Sequence, residues 1–192
     1  MRHLSVTGTR QGTTDVQHSR LSDIIALCRV RGFGVFHDGD CVGVDVQAVE
    51  IAFAHGYHCV GHPSTASTRA YFIGRHEMRG PMSPLERNRV MVDECDLLVA
   101  CPKEFNEIMR SGTWATIRYA KKIGRKIIFA YPDGSVGQWR PADGEATTRV
   151  HDSEETGATR QVQPRTATVS RISPRRQPTG MLRPLNGQEI GG

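Results

Sequence analysis

Two small-residue loops carry the groups best suited to holding an anion. Val6-Thr7-Gly8-Thr9-Arg10-Gln11-Gly12 follows the first apolar run, and Arg110-Ser111-Gly112-Thr113-Trp114 precedes the last amphipathic stretch. Each sits where a strand hands over to a helix. There, free backbone N–H groups and the helix dipole favour a phosphate or similar anion. Gly8 and Gly12 lack a Cβ, which lets a phosphate come close to the backbone. Thr7, Thr9, Ser111 and Thr113 add hydroxyls, and Arg10 is the cation nearest the first loop. Neither loop is a Walker A sequence, because G-K-[ST] is missing, and neither is G-x-G-x-x-G. Turn and cap duty would account for Gly8 or Gly112 taken singly. The two loops together point to a phosphate-bearing ligand of nucleotide size.

Further charged groups flank these loops. Arg87 and Arg89 lie in the first turns of a helix that opens with Ser83-Pro84-Leu85-Glu86, a capping box with Pro at its first position. Residues two apart on a helix diverge by about 200°. One arginine is therefore expected to face substrate or phosphate, and the other an acid such as Asp93 or Glu86. Asp45 follows the turn Asp40-Cys41-Val42-Gly43-Val44. It suits either a ribose hydroxyl or simple complementarity to a helix N-terminus.

Other reactive residue types lack partners in the sequence. His55/His58 and His58/His62 have ligand-like spacing but span a helix end and a strand, so surface or structural roles are expected and no metal site is assigned. Cys101 has no evident base and reads as a buried thiol. No cofactor is indicated.

The elements that must position these residues alternate. Short β-rich runs near residues 3–7, 34–37, 57–60, 97–101 and 126–131 are separated by helical periodicity over 15–31, 44–55, 83–94 and 112–123. This predicts an α/β, Rossmann-like, doubly wound and mostly parallel five-stranded sheet with flanking helices. Gly56 and Gly124 fall where helix-ending residues belong. A ligand would sit at the strand carboxyl ends, at the switch point, if the first and fourth strands are neighbours. The Ser-, Thr-, Gly- and Arg-rich connection over 61–82 is long enough to suggest a functional loop.

Charge is unevenly placed. Residues 156–192 hold six Arg and one acid, so the formal net charge of +5 lies there and residues 1–155 are neutral. A basic-protein argument for nucleic-acid binding therefore does not extend to the folded part. No aromatic residue follows Trp139, and Pro164, Pro174, Pro178 and Pro184 interrupt the remainder. The expected division is a ligand-binding domain over 1–135 and a disordered Pro/Arg-containing tail over 136–192. Five cysteines without C-x-x-C spacing suggest reduced thiols and a cytoplasmic setting. No stretch is apolar enough for a signal peptide or membrane span.

The order of motifs resembles the SLOG superfamily over about residues 3–133. The residues that carry it are Gly8-Thr9-Arg10, Gly39-Asp40-Cys41-Val42-Gly43-Val44-Asp45, Arg87-Asn88-Arg89, Asp96-Leu97-Leu98-Val99 and Ser111-Gly112-Thr113, with Ala120 and Gly124-Arg125-Lys126. That superfamily includes the DNA-processing protein A (DprA) mediators and the LONELY GUY phosphoribohydrolases. The resemblance implies a Rossmann-like fold binding nucleotides or nucleotide-derived ligands. DprA relatives carry S-G-x-A-x-G-[IV]-D, from which Asp40 and Val42 depart, and R-N-R, which Arg87-Asn88-Arg89 matches. They oligomerise and bind single-stranded DNA. LONELY GUY enzymes carry P-G-G-x-G-T-x-x-E, but Trp114, Ala115, Thr116 and Ile117 follow Gly112-Thr113 here, so the assisting Glu is missing.

The reading that follows is a sensor or carrier of a nucleotide-type small molecule. Gly8, Thr9, Arg10, Asp45, Arg87, Ser111, Gly112 and Thr113 are its candidate ligand-binding residues. The alternatives are a DprA-like single-stranded DNA-binding mediator and a nucleoside 5′-monophosphate N-glycosidase. Catalytic residues are not assigned. The Arg-bearing tail is a candidate for contacting single-stranded nucleic acid, and a homo-oligomer is compatible with the resemblance.

Overall fold

The run Leu97-Leu98-Val99-Ala100-Cys101 is buried at every position. A strand buried on both sides needs helices on both faces of its sheet, and the computed structural model has that arrangement. It describes residues 1–66, 68–143 and 148–150. The elements in order are β1 (Arg2–Gly8), α1 (Asp15–Val30), β2 (Phe33–Asp38), α2 (Val44–Ala54), β3 (His58–Gly61), β4 (Glu77–Met78), α3 (Pro84–Glu94), β5 (Leu97–Cys101), α4 (Gly112–Lys122), β6 (Lys126–Ala130), β7 (Val136–Trp139) and β8 (Thr148–Val150).

The strand order is β4-β3-β2-β1-β5-β6-β7-β8. The five expected strands form the parallel centre, β3-β2-β1-β5-β6. Alternate residues of β5 feed two cores. Leu97, Val99 and Cys101 pack with Leu21, Ile25 and Cys28 of α1 and Val44, Ala48 and Ala52 of α2. Leu98 and Ala100 pack with Val92 of α3 and Trp114, Ile117 and Ala120 of α4. Period-two alternation thus places one helix pair on each face. All five cysteines are buried and free. Burial pushes the Cys101 thiol up to about 12, which suits a packing group and not a nucleophile.

The sheet extends beyond the five strands. β4 adds two parallel residues from the 61–82 connection. β7 and β8 add an antiparallel edge. The sheet therefore continues past residue 135, where the sequence suggests a tail. The turn that returns the chain has Gly134 at φ 79°, and Ser135 donates to Asp133 through both its N–H and its hydroxyl. Trp139 is the anchor, nearly fully buried against the α4 core. Four residues containing a Gly gave too short a pattern to signal a strand. The rest of the expected tail, residues 144–147 and 151–192, lies outside the described residues.

Helix ends follow the sequence in most places. Thr14 caps α1 by accepting from the Gln17 N–H. Gly56 and Gly124 adopt φ 72° and 73° just past the last residues of α2 and α4. The capping box at α3 is not formed: the Ser83 hydroxyl donates to the Glu86 carboxylate at 3.4 Å and no side chain caps the backbone. Among the described residues, no helix is long and apolar enough to cross a membrane.

Candidate functional site

The strand order reverses between β1 and β5. From β1 the chain winds through α1 to β2 on one side, and from β5 through α4 to β6 on the other. Such a switch point opens a crevice at the carboxyl ends of the two strands. Here it is a cleft of about 500 Å³. It gathers all eight candidates: Gly8, Thr9, Arg10, Asp45, Arg87, Ser111, Gly112 and Thr113. Four elements supply them: the β1–α1 junction, the first turns of α2 and α3, and the N-terminus of α4.

Their duties differ from those the sequence suggests. A Cβ on Gly8 would meet the Val44 side chain at 2.4 Å. The missing Cβ at Gly8 is therefore filled by α2 packing against β1, and a phosphate does not need that space. Thr9 holds its own loop: its carbonyl accepts from the N–H groups of Gly12 and Val44, and its hydroxyl accepts from the Gln11 N–H. The Ser111 hydroxyl is likewise occupied, capping α4 by accepting from Trp114 N–H. What stays free is backbone. Among the described residues, the N–H groups of Gly112 and Thr113 have no acceptor, as expected of a helix's first turn. Both residues line the cleft, and a Cβ added at Gly112 would meet nothing within 4 Å.

Arg87 is buried. Its Nη1 donates to the Gly39 carbonyl and, at 3.1 Å, to the His62 carbonyl. Its Nε is buried without a hydrogen-bond partner. Asp45 Oδ2 lies 3.9 Å from Nη1. Burial pushes the Asp45 carboxyl up to about 7, the Arg87 charge pulls it down, and the nearby Asp38 pushes it up again. Asp45 thus faces Arg87, and its first effect is on the loop. A Cβ at Gly39 would fall on Arg87 Nη1 and on Asp45 Oδ2, so a larger residue there has to displace both side-chain ends.

The Arg87-Asn88-Arg89 triplet splits three ways. Arg87 reaches the β2–α2 turn. The Asn88 amide donates to Thr116 Oγ1 on α4 at 2.8 Å. Arg89 stacks over the Tyr119 ring at 5.6 Å, and the Tyr119 hydroxyl donates to Asp93. Arg89 therefore meets Asp93 through an aromatic ring and not by the direct pair the sequence suggested.

The sequence reading left several residues out of its candidate set, although Arg110 stands in the second loop it names. Lys103 and Arg110 line the cleft beside Arg10, all three exposed, against the acids Asp45 and Glu104. With Arg87 they make the cleft cationic although the chain around it is neutral. Their signal was position: both belong to the loop between β5 and α4. The side chain of Arg75, from the 61–82 connection, is buried and forks onto Asp38 through Nε and Nη2 at 3.0 and 2.5 Å. It also pairs with Asp40 at 3.2 Å. Asp40, at φ 49°, accepts from Arg69 and from the Tyr71 N–H as well. This network clamps the 61–82 connection onto the turn that Arg87 holds from the other side. No local pattern announced it, because its members lie about thirty residues apart.

No family model and no curated protein matches the sequence. Solved structures do resemble it. The molybdenum cofactor binding protein of Rippkaea orientalis superposes with a TM-score of 0.54 at 18% identity, over 68% of this chain and 76% of that one. DNA processing protein A of Streptococcus pneumoniae gives 0.53 at 19% identity, over 67% of this chain and 50% of that one. The molybdenum cofactor carrier protein of Chlamydomonas reinhardtii gives 0.51 at 16% identity, over 67% and 75%. This chain shares their Rossmann-like fold.

Proposed function

We propose that the chain binds a nucleotide or nucleotide-derived ligand in the β1/β5 cleft and serves as its sensor or carrier. The observation that carries the reading is the α4 N-terminus. It presents the open, unpaired N–H groups of Gly112 and Thr113 to a cleft lined by Arg10, Arg87, Lys103 and Arg110. Dipole, donors and cations favour an anion at one place. A volume of about 500 Å³ lies within the usual range for small-molecule sites, about 300–1,000 Å³. Two proteins of the same fold bind or carry the molybdenum cofactor by their own descriptions, which supports holding a ligand as a task for this frame.

Binding is favoured over cleavage because no Glu follows Gly112-Thr113, where Trp114, Ala115, Thr116 and Ile117 stand instead. Asp45 is buried beside Arg87, and Trp114, which follows Gly112-Thr113, is buried in the α4 core. A stacked single strand is disfavoured because no aromatic residue is among those lining the cleft.

Thermal unfolding of the full chain with nucleoside mono-, di- and triphosphates and dinucleotides tests the reading. A ligand at 100 times its Kd adds about 2.7 kcal/mol. Lys103→Ala and Arg110→Ala should reduce the shift while leaving the unliganded midpoint unchanged. If no nucleotide raises the midpoint, the reading fails. Salt-dependent binding of single-stranded DNA in place of nucleotides would favour the DprA-like alternative, and release of free base from a nucleoside monophosphate would favour the hydrolase.

A further inference from the structure

A second cluster lies beneath α3, apart from the cleft. His37 on β2, His62 just after β3 and Glu94 at the end of α3 turn one donor atom each toward a common point. His37 Nδ1 is 2.9 Å from His62 Nε2 and 3.6 Å from Glu94 Oε2, and His62 Nε2 is 3.8 Å from the same oxygen. A four-coordinate Zn²⁺ with N and O donors at about 2.0–2.1 Å sets neighbouring donors about 3.4 Å apart. The three separations bracket that value. Both rings are 1% exposed, whereas Glu94 is 33% exposed and gives the point a route to solvent.

The surroundings suit a ligand set. His37 Nε2 shares a 2.9 Å hydrogen bond with His3 Nδ1. If Nε2 carries the proton, His3 accepts it and the Nδ1 lone pair faces His62 and Glu94. That is how an outer-shell partner orients a metal-binding imidazole. Burial, with the cations and rings nearby, keeps both imidazoles neutral: His37 falls to about 3 and His62 to about 4. Each neutral ring has one lone pair, and the two rings share a hydrogen bond between His37 Nδ1 and His62 Nε2; a metal replaces the bonding proton, which moves to the other nitrogen of its ring. Arg79 opposes a metal, since its Nη2 donates to Glu94 Oε2 at 3.2 Å. A carboxylate has lone pairs enough to keep that bond and coordinate as well.

We propose that His37 Nδ1, His62 Nε2 and Glu94 bind a divalent metal ion of the Zn²⁺ class, with the fourth position left for water or an incoming donor. Imidazole and carboxylate donors in tetrahedral spacing favour Zn²⁺ over Mg²⁺ or Ca²⁺, which take more oxygen ligands. The ligand set is not the one that sequence spacing marks. His58 instead packs on His76, with ring centroids 4.8 Å apart, near Glu77 at the exposed end of β3.

The test is titration of the chelator-treated full chain with Co²⁺ and then Zn²⁺, read by visible absorption and by metal content after gel filtration. One equivalent of Co²⁺ with the intense bands of four-coordination, displaced by Zn²⁺, is expected. Glu94→Gln and His62→Gln should abolish saturable binding, with far-UV circular dichroism reporting the fold. Glu94 is partly exposed, so Glu94→Gln decides the matter if the His62 variant does not fold. His3→Ala should weaken affinity about 10–100-fold, and the double variant His58→Asn/His76→Asn should bind as the parent does. The proposal is overturned if the folded chain takes up neither metal saturably. It is equally overturned if binding survives Glu94→Gln or disappears with His58 and His76. Neither result bears on the nucleotide reading, because none of these residues lines the cleft.

Discussion

The guanidinium of Arg87, on α3, donates to the main-chain carbonyl of Gly39, in the turn between β2 and α2. This bond joins a helix on one face of the sheet to the turn that leads to a helix on the other. Charge-assisted bonds of this kind contribute about 1.5–3 kcal/mol. Arg87→Ala should therefore lower unfolding stability by about 2–3 kcal/mol in urea titrations. It also leaves Asp45 buried without its counter-charge. The double variant Arg87→Ala/Asp45→Asn should recover part of the loss, a coupling that a double-mutant cycle measures. Strict additivity of the two would contradict the pairing.

Asp45 should make stability depend on pH. Its folded pKa of about 7 lies above the ordinary 3.8. The stability linked to this group is full below pH 3.8 and is lost as pH rises through about 7. Relative to the parent, Asp45→Asn should gain stability as pH rises from 5 through about 7, an effect on the order of a few kcal/mol at most. Guanidinium titrations at several pH values check this. A parent protein whose stability rises over that window, with the variant parallel to it, would contradict the assignment.

The glycines of the site should separate by what fills their missing side chain. Gly8→Ala drives a Cβ into Val44, and Gly39→Ala into Arg87 and Asp45. Each should destabilise by about 1–3 kcal/mol. Gly112→Ala meets open space and should leave the midpoint within about 0.5 kcal/mol. Adding Val44→Ala to Gly8→Ala should relieve the clash without restoring full stability, because Val44 is itself buried in the core.

Ser111 separates capping from binding. Ser111→Ala removes the cap on Trp114 N–H and should cost about 1 kcal/mol. Ser111→Asp keeps a cap and suits the helix dipole, yet places a negative charge at the cleft. It should fold like the parent and bind nucleoside phosphates more weakly, a contrast that calorimetry with thermal unfolding resolves. Unchanged binding would argue against an anion at the α4 N-terminus.

Arg75 should act as the clamp of the 61–82 connection. Arg75→Ala leaves the fully buried Asp38 carboxylate without its counter-charge and the buried Asp40 with Arg69 alone. Breaking a buried pair in this way costs about 3–5 kcal/mol. Limited proteolysis should then cut within 62–76 faster than in the parent. An unchanged digestion pattern would mean that the connection is held without Arg75.

Much of this was legible in the residues. The parallel strands, the four helices and the Gly56 and Gly124 ends follow from periods of two and 3.6 and from the glycine preference at positive φ. These are local properties, written within a few residues of one another. β7 was hidden because Val136-Gly137-Gln138-Trp139 is too short and Gly-containing to show a period, and its partners β6 and β8 are supplied by the fold.

The sequence by itself determined the architecture and the address of the site: two strand-to-helix loops, Gly8-Thr9-Arg10 and Ser111-Gly112-Thr113, at one crevice of a doubly wound sheet. Only the tertiary structure decided which groups there are free. Gly8 is filled by Val44, the Thr9 and Ser111 hydroxyls are bonded within their own loops, and Arg87 is spent on two carbonyls. The open donors are the N–H groups of Gly112 and Thr113. Likewise, only the fold brings His37, His62 and Glu94 within bonding reach. The reason is physical. A residue's type sets which bonds it can make, but burial and partners from distant segments set which of those bonds remain unmade.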